Sequence, residues 1–138
     1  MRRGNWALAL GIVLCIPACG TPTAPTAAPA PLPLFAITSP DAWPITADME
    51  ASTIYTWAEV KLCLGTTTNP PSGYPIHVRA SMIDCGGVPA WGCFNGPQIE
   101  VVGAVYALAL RHELTHLALY LAGREYGEQA PDMLRCEG

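Results

Sequence analysis

Apolar and polar positions along the chain change rhythm several times, and each rhythm predicts an element. Trp6 to Ile16 is a short continuous apolar run, and Gly20 to Pro33 is Thr, Pro and Ala with no period. A segment of the second kind cannot bury a core and behaves as a semi-extended tether. Thr38-Ser39-Pro40-Asp41 and Pro44 punctuate an irregular start to the folded part. From Met49 to Leu64, the residues Ile54, Trp57, Val60, Lys61 and Leu64 recur at helical spacing, supported by Ala51, Ala58 and Glu59. Thr46 to Asp48 supplies capping residues and Gly65 a stop, so a first helix is predicted there with its Trp and Ile stripe in the core. Thr66 to Gly73 reads as a loop. Ile76, Val78, Ala80 and Met82 then alternate with His77, Arg79 and Ser81, the mark of a half-buried strand. A Gly-rich connection, Cys85 to Cys93, leads to a second strand over Gln98 to Val102 with Ile99 and Val101 on one face. That strand immediately precedes the next helical pattern, and its edge is expected to lie near that helix.

Ala104 to Ala122 is the longest apolar helical pattern, with Gly123 as its C-terminal cap. Leu110, Leu114, Leu117 and Leu121 share one face, and the helix is apolar nearly all round, which marks it as buried. A membrane span here would put Arg111, His112, Glu113 and His116 at mid-bilayer, where ionisable groups are costly, so that reading is rejected. Together the elements predict a small α+β domain: an N-terminal helix, a short mostly antiparallel sheet, and the second helix packed on it.

Length leaves room for one domain, since the chain has 138 residues. Its beginning has the marks of an export signal. Met1-Arg2-Arg3 is a positive n-region, and the apolar run behind it is too short for a stable membrane anchor. Ile16-Pro17-Ala18-Cys19-Gly20 resembles the lipobox of bacterial lipoproteins. The resemblance implies cleavage before Cys19, diacylglycerol on its thiol and acylation of its amine. Gly20 in second place, rather than Asp, resembles the pattern sent to the outer membrane in cells with two membranes. The expected organisation is therefore a lipoprotein signal peptide over 1–18, a tether over 19–34 and a folded domain over 35–138. The lipid bilayer is then a partner through the N-terminal anchor, with ordinary secretion as the alternative.

Removal of residues 1–18 takes away Arg2 and Arg3 and leaves five basic against eleven acidic side chains, a formal charge of −6. No basic stripe remains, so nucleic acid is not an expected partner. Four cysteines are left beyond Cys15 and Cys19, an even number in an exported domain, which argues for two disulfides. Three connectivities are possible. Cys85 and Cys93 bracket a Gly/Pro turn and are the expected pair, which leaves Cys63 for Cys136. A zinc site on these thiols is the rival reading, but their spacings do not resemble a C-x₂-C pair.

The chemistry lies in the second helix. His112-Glu113-Leu114-Thr115-His116 reads H-E-x-x-H and holds two of the chain's three histidines. Positions i and i+4 share a helix face, so both imidazoles can reach one metal ion while Glu113 points toward its open position. The pattern resembles that of the zincin-like metallopeptidases, over the helix and the tail that follows. The resemblance implies Zn²⁺ as cofactor, His112 and His116 as ligands, and Glu113 as the base that takes a proton from water.

A catalytic zinc wants a third protein ligand. The metzincin pattern is absent, because Leu119 and Ala122 stand where Gly and His would be. His77 is upstream on a strand, and the acidic candidates are Glu125, Glu128, Asp132 and Glu137. Glu128 to Asp132 spells E-x-x-x-D, which resembles the downstream segment of gluzincins. There the Glu binds zinc and the Asp supports a motif histidine. That favours Glu128 as third ligand, with Asp132 and Glu125 as alternatives. Tyr106, Tyr120 and Tyr126 are the candidates for stabilising an oxyanion. The expected function is zinc-dependent hydrolysis of peptide bonds, on a peptide or protein substrate in the cell envelope. A lipid-anchored binding or assembly module that keeps the zincin-like fold without turnover is the alternative.

Overall fold

The computed structural model describes residues 32–136. The signal peptide, Cys19 and most of the tether predicted above lie outside the described residues, as does Glu137. Within them the chain runs β1 (Phe35–Thr38), α1 (Ala47–Leu64), β2 (Tyr74–Arg79), β3 (Ile83–Cys85), β4 (Val88–Ala90), β5 (Gly92–Phe94) and β6 (Ile99–Val102). A single 3₁₀ turn (Gly103–Val105) then leads into α2 (Tyr106–Leu121), and α3 (Pro131–Cys136) closes the order. The α+β class is as expected.

The first helix begins and ends where local chemistry says it should. The Thr46 hydroxyl accepts from the Met49 N–H at 3.2 Å, satisfying one of the donors a helix start leaves open. Gly65, at φ 65°, closes the other end, its N–H reaching the Leu62 carbonyl while Thr66 reaches Lys61. The buried stripe is Thr53, Trp57, Val60 and Leu64. Ile54, expected in the core, is half exposed; the face one position away won because Thr53 can bond both the Met49 carbonyl and the Tyr106 hydroxyl.

Four strands form one sheet in the order β1-β2-β6-β5, and β3 and β4 form a separate hairpin. The predicted alternation holds in β2, where Tyr74, Ile76 and Val78 are buried, but the strand stops at Arg79 and Met82 is exposed. The sheet is mixed rather than mostly antiparallel: β1–β2 and β2–β6 pair in parallel, and only β5–β6 is antiparallel. The cause is β1, a strand hidden in what reads as an irregular start. With β1 and β2 joined by an 18-residue helix, the connection is a crossover, which parallel neighbours require. The Cys85–Cys93 stretch is likewise more ordered than a connection, since it carries the β3–β4 hairpin and enters β5.

Ile76, Val78, Ile99 and Val101 present one sheet face to α2, whose Leu110, Leu114 and Leu117 have no exposure. Trp57 joins this core from α1, edge-on to Phe35 at 5.7 Å between ring centres. Thr115, polar and buried, is satisfied by the Arg111 carbonyl. The Arg111 guanidinium meets Glu59 on α1 and the Cys136 carbonyl, so α2 is fastened to both neighbours. After Gly123 the chain turns back, and α3 inserts Met133 and Cys136 into the same core, with Ala130 just ahead of it. Cys63–Cys136 and Cys85–Cys93 are bonded. Among the described residues no helix is long and apolar enough to cross a membrane. Two disulfides fit an oxidising, extracytoplasmic compartment.

Candidate metal centre

The two motif histidines stand one turn apart on α2, and their Nε2 atoms are 3.1 Å from each other. Glu128 completes the group: its carboxylate lies 3.2 Å from His112 Nε2 and 3.2 Å from His116 Nε2. One donor atom from each of the three residues falls within a span of 4.8 Å, the convergence a small cation needs. His116 is nearly buried, and its Nδ1–H donates to the Tyr126 carbonyl at 2.6 Å. That bond selects the tautomer with a lone pair on Nε2, facing the group. Phe94 lies parallel to the His116 ring at 6.2 Å between centres, and Tyr120 and Tyr126 pack around Phe94.

Glu128 gets there through the tail. The Gly123 turn reverses the chain, and Arg124 then bonds the Leu64 carbonyl and pairs with Asp132. Those two residues bracket the loop that carries Tyr126 and Glu128, and the buried Ala130 and Met133 anchor its far end. Asp132 is thereby removed from the ligand candidates, because its carboxylate is taken by Arg124 and by Arg135 at 2.9 Å. Nor does it support a motif histidine; the Tyr126 carbonyl does that. Glu125 is exposed and outside the group. His77 sits on the sheet, bonded to Thr38 at 2.8 Å.

Glu113 is 4% exposed and lies against the edge strand β5. Burial pushes its carboxyl up to about 7, opposed by His112, reinforced by Glu128, and opposed again by the Phe94 backbone N–H bonded to it. Gly92 faces it directly. A Cβ there would meet the Glu113 side chain, at 2.8 Å from Cγ and 2.9 Å from Cδ, so only glycine leaves the carboxylate in this position. The strand beside the site is thus β5 and not β6, which is interior to the sheet and paired on both sides. Of the tyrosines, Tyr106 is spent on Thr53 inside the core, whereas Tyr126 borders the cleft in front of the group.

Two imidazole nitrogens and one carboxylate, with one imidazole fixed by a backbone carbonyl, form a donor set that could hold a metal ion. Gly92, the Phe94 N–H and the Tyr126 carbonyl carry no motif; Gly92 alone had a signal, as a glycine inside a strand marks a close approach. Comparison with protein-family models, with curated proteins and with solved structures yields no match to this chain.

Proposed function

We propose that this chain is a zinc-dependent peptide hydrolase of the zincin-like kind. One observation carries the reading: a three-residue donor group converges beside a buried carboxylate that is not itself in the group. A purely structural metal site has no use for such a neighbour, and a satisfied helix-histidine pair has no use for Glu128.

His112, His116 and Glu128 would hold the ion. A zinc ion bound there supplies Lewis acidity, polarising a carbonyl and lowering the pKa of water. The chain's own residues do the rest. Glu113, desolvated and held near neutrality, takes a proton as water oxygen adds to the scissile carbonyl carbon. It returns that proton to the nitrogen as the C–N bond breaks, so a carboxylic acid and an amine leave and the carboxylate is restored. The Phe94 N–H and the bare Cα of Gly92 keep the carboxylate in place throughout. Tyr126, at the cleft, is the tyrosine best situated to donate to the developing oxyanion.

Attachment to a bacterial membrane through acylated Cys19, and a peptide or protein substrate in the envelope, belong to the same reading. They are supported by the lipobox-like sequence and by the two disulfides. Palmitate labelling that persists in Cys19→Ala would refute the anchor.

The decisive experiment is metal analysis together with Glu113→Gln. Protein purified without chelator is expected to carry about one equivalent of zinc. The variant keeps that zinc and loses amide hydrolysis. Zinc well below half an equivalent, or undiminished hydrolysis in the variant, overturns the proposal.

A further inference from the structure

We infer that the cleft takes an interior, uncharged stretch of peptide bearing a bulky apolar side chain, which makes the hydrolysis proposed above endopeptidase action on apolar segments. The inference rests on that reading for its chemistry and on the cleft walls for its specificity. The cleft measures about 860 Å³, ample for several residues of peptide. His112, His116 and Glu128 lie along one side of it. Much of the remainder is apolar: Val88 on the hairpin, Trp91 before β5 and Leu108 on α2 all border it. Their exposures are 63%, 52% and 77%. Large apolar residues scattered singly over a surface mean little, but three around one cleft form a patch that gains by being covered. Their cover has to be apolar to release water from them.

Charge points the same way. Among the described residues bordering the cleft there is no Lys or Arg, and of its two carboxylates Glu128 is in the donor group and Glu113 is buried beside it. Away from the ion, a substrate C-terminus would bring a carboxylate with no Lys or Arg of the cleft to meet it, and an N-terminus an ammonium with no acid outside the centre. Either would lose hydration without compensation. A peptide entering by its interior avoids both costs. The wall is also preorganised, because the Cys85–Cys93 bond ties the hairpin that carries Val88 to the edge strand β5.

The test uses the full chain stripped of metal, so that binding is read without turnover. Titration calorimetry compares a short end-blocked peptide with a central Phe-Leu pair against the same peptide carrying Lys or Glu there, and against its unblocked form. The apolar blocked peptide is expected to bind at least about tenfold tighter than the charged ones. Trp91→Ala is expected to weaken it about tenfold with zinc uptake unchanged, and Leu108→Ser to act in the same direction. Both side chains are exposed, so neither replacement disturbs the core. Equal binding of charged and apolar peptides, no binding of any, or unaltered binding in both variants overturns the inference. Restoring zinc separates the two claims. Selective binding without hydrolysis sustains the specificity and sinks the hydrolase; hydrolysis without selectivity does the reverse.

Discussion

Glu113 owes its position to an atom that is missing from β5. The carboxylate fills the space a side chain at position 92 would take, and the Phe94 N–H two residues on bonds it. Gly92→Ala is therefore expected to shift the carboxylate while leaving His112, His116 and Glu128 untouched. Zinc content should equal the parent's, and peptide hydrolysis should fall about a hundredfold, the cost of misplacing a reacting group by roughly an ångström. A variant hydrolysing at the parent rate would show that Glu113 swings aside without consequence. At this scale legibility in the sequence followed distance along the chain. His112, Glu113 and His116 could be read because helical spacing relates them within five residues. Gly92 could not be tied to Glu113, since no periodicity links an edge strand to a helix beginning more than ten residues later. The Tyr126 carbonyl was invisible for another reason: every residue has one.

Elements whose ends are set by their own residues were legible, and elements set by a distant partner were not. Thr46 and Gly65 bounded α1 correctly because a hydroxyl cap and a left-handed glycine act within one turn. β1 escaped because four residues between prolines become a strand only when Tyr74 to His77 lie alongside. The same contact made the sheet mixed. A related long-range tie yields a test by pH. Asp41, in the loop after β1, accepts from Arg79 at the end of β2 and from the Ala80 N–H just beyond it. These bonds hold its carboxyl below the ordinary 3.8, the backbone bond contributing most. A folded-state pKa below the unfolded one stabilises the fold above 3.8, and the contribution disappears as pH falls through the folded value. Asp41→Asn is accordingly expected to flatten the acid limb of stability, read from urea midpoints at descending pH. Superimposable curves for variant and parent would refute it.

The whole molecule is closed by the bond between Cys63 and Cys136, 73 residues apart, which joins the end of α1 to the end of α3. Replacing both with Ser is expected to cost about 4 kcal/mol on the chain-entropy estimate, measured as a drop in denaturation free energy. Zinc affinity should fall with it, because the tail carrying Glu128 is held by that bond together with Met133 and the Arg124–Asp132 pair. A double variant with parental stability and parental zinc affinity would mean the tail is anchored without it. The pairing itself was inferred from cysteine number and from the turn between Cys85 and Cys93, a local argument that left one partner for each remaining thiol. By itself the sequence determined the two long helices, the alternating strand, the α+β class and the helical half of the centre, all of which depend on periodicities and caps acting over a few residues. Only the tertiary structure decided the parallel pairing through β1, the engagement of Asp132 by Arg124 and Arg135, and the place of Glu113 behind Gly92. Each of those requires separate segments of the chain to occupy one volume, and close packing, which no local pattern encodes, settles which atoms fit.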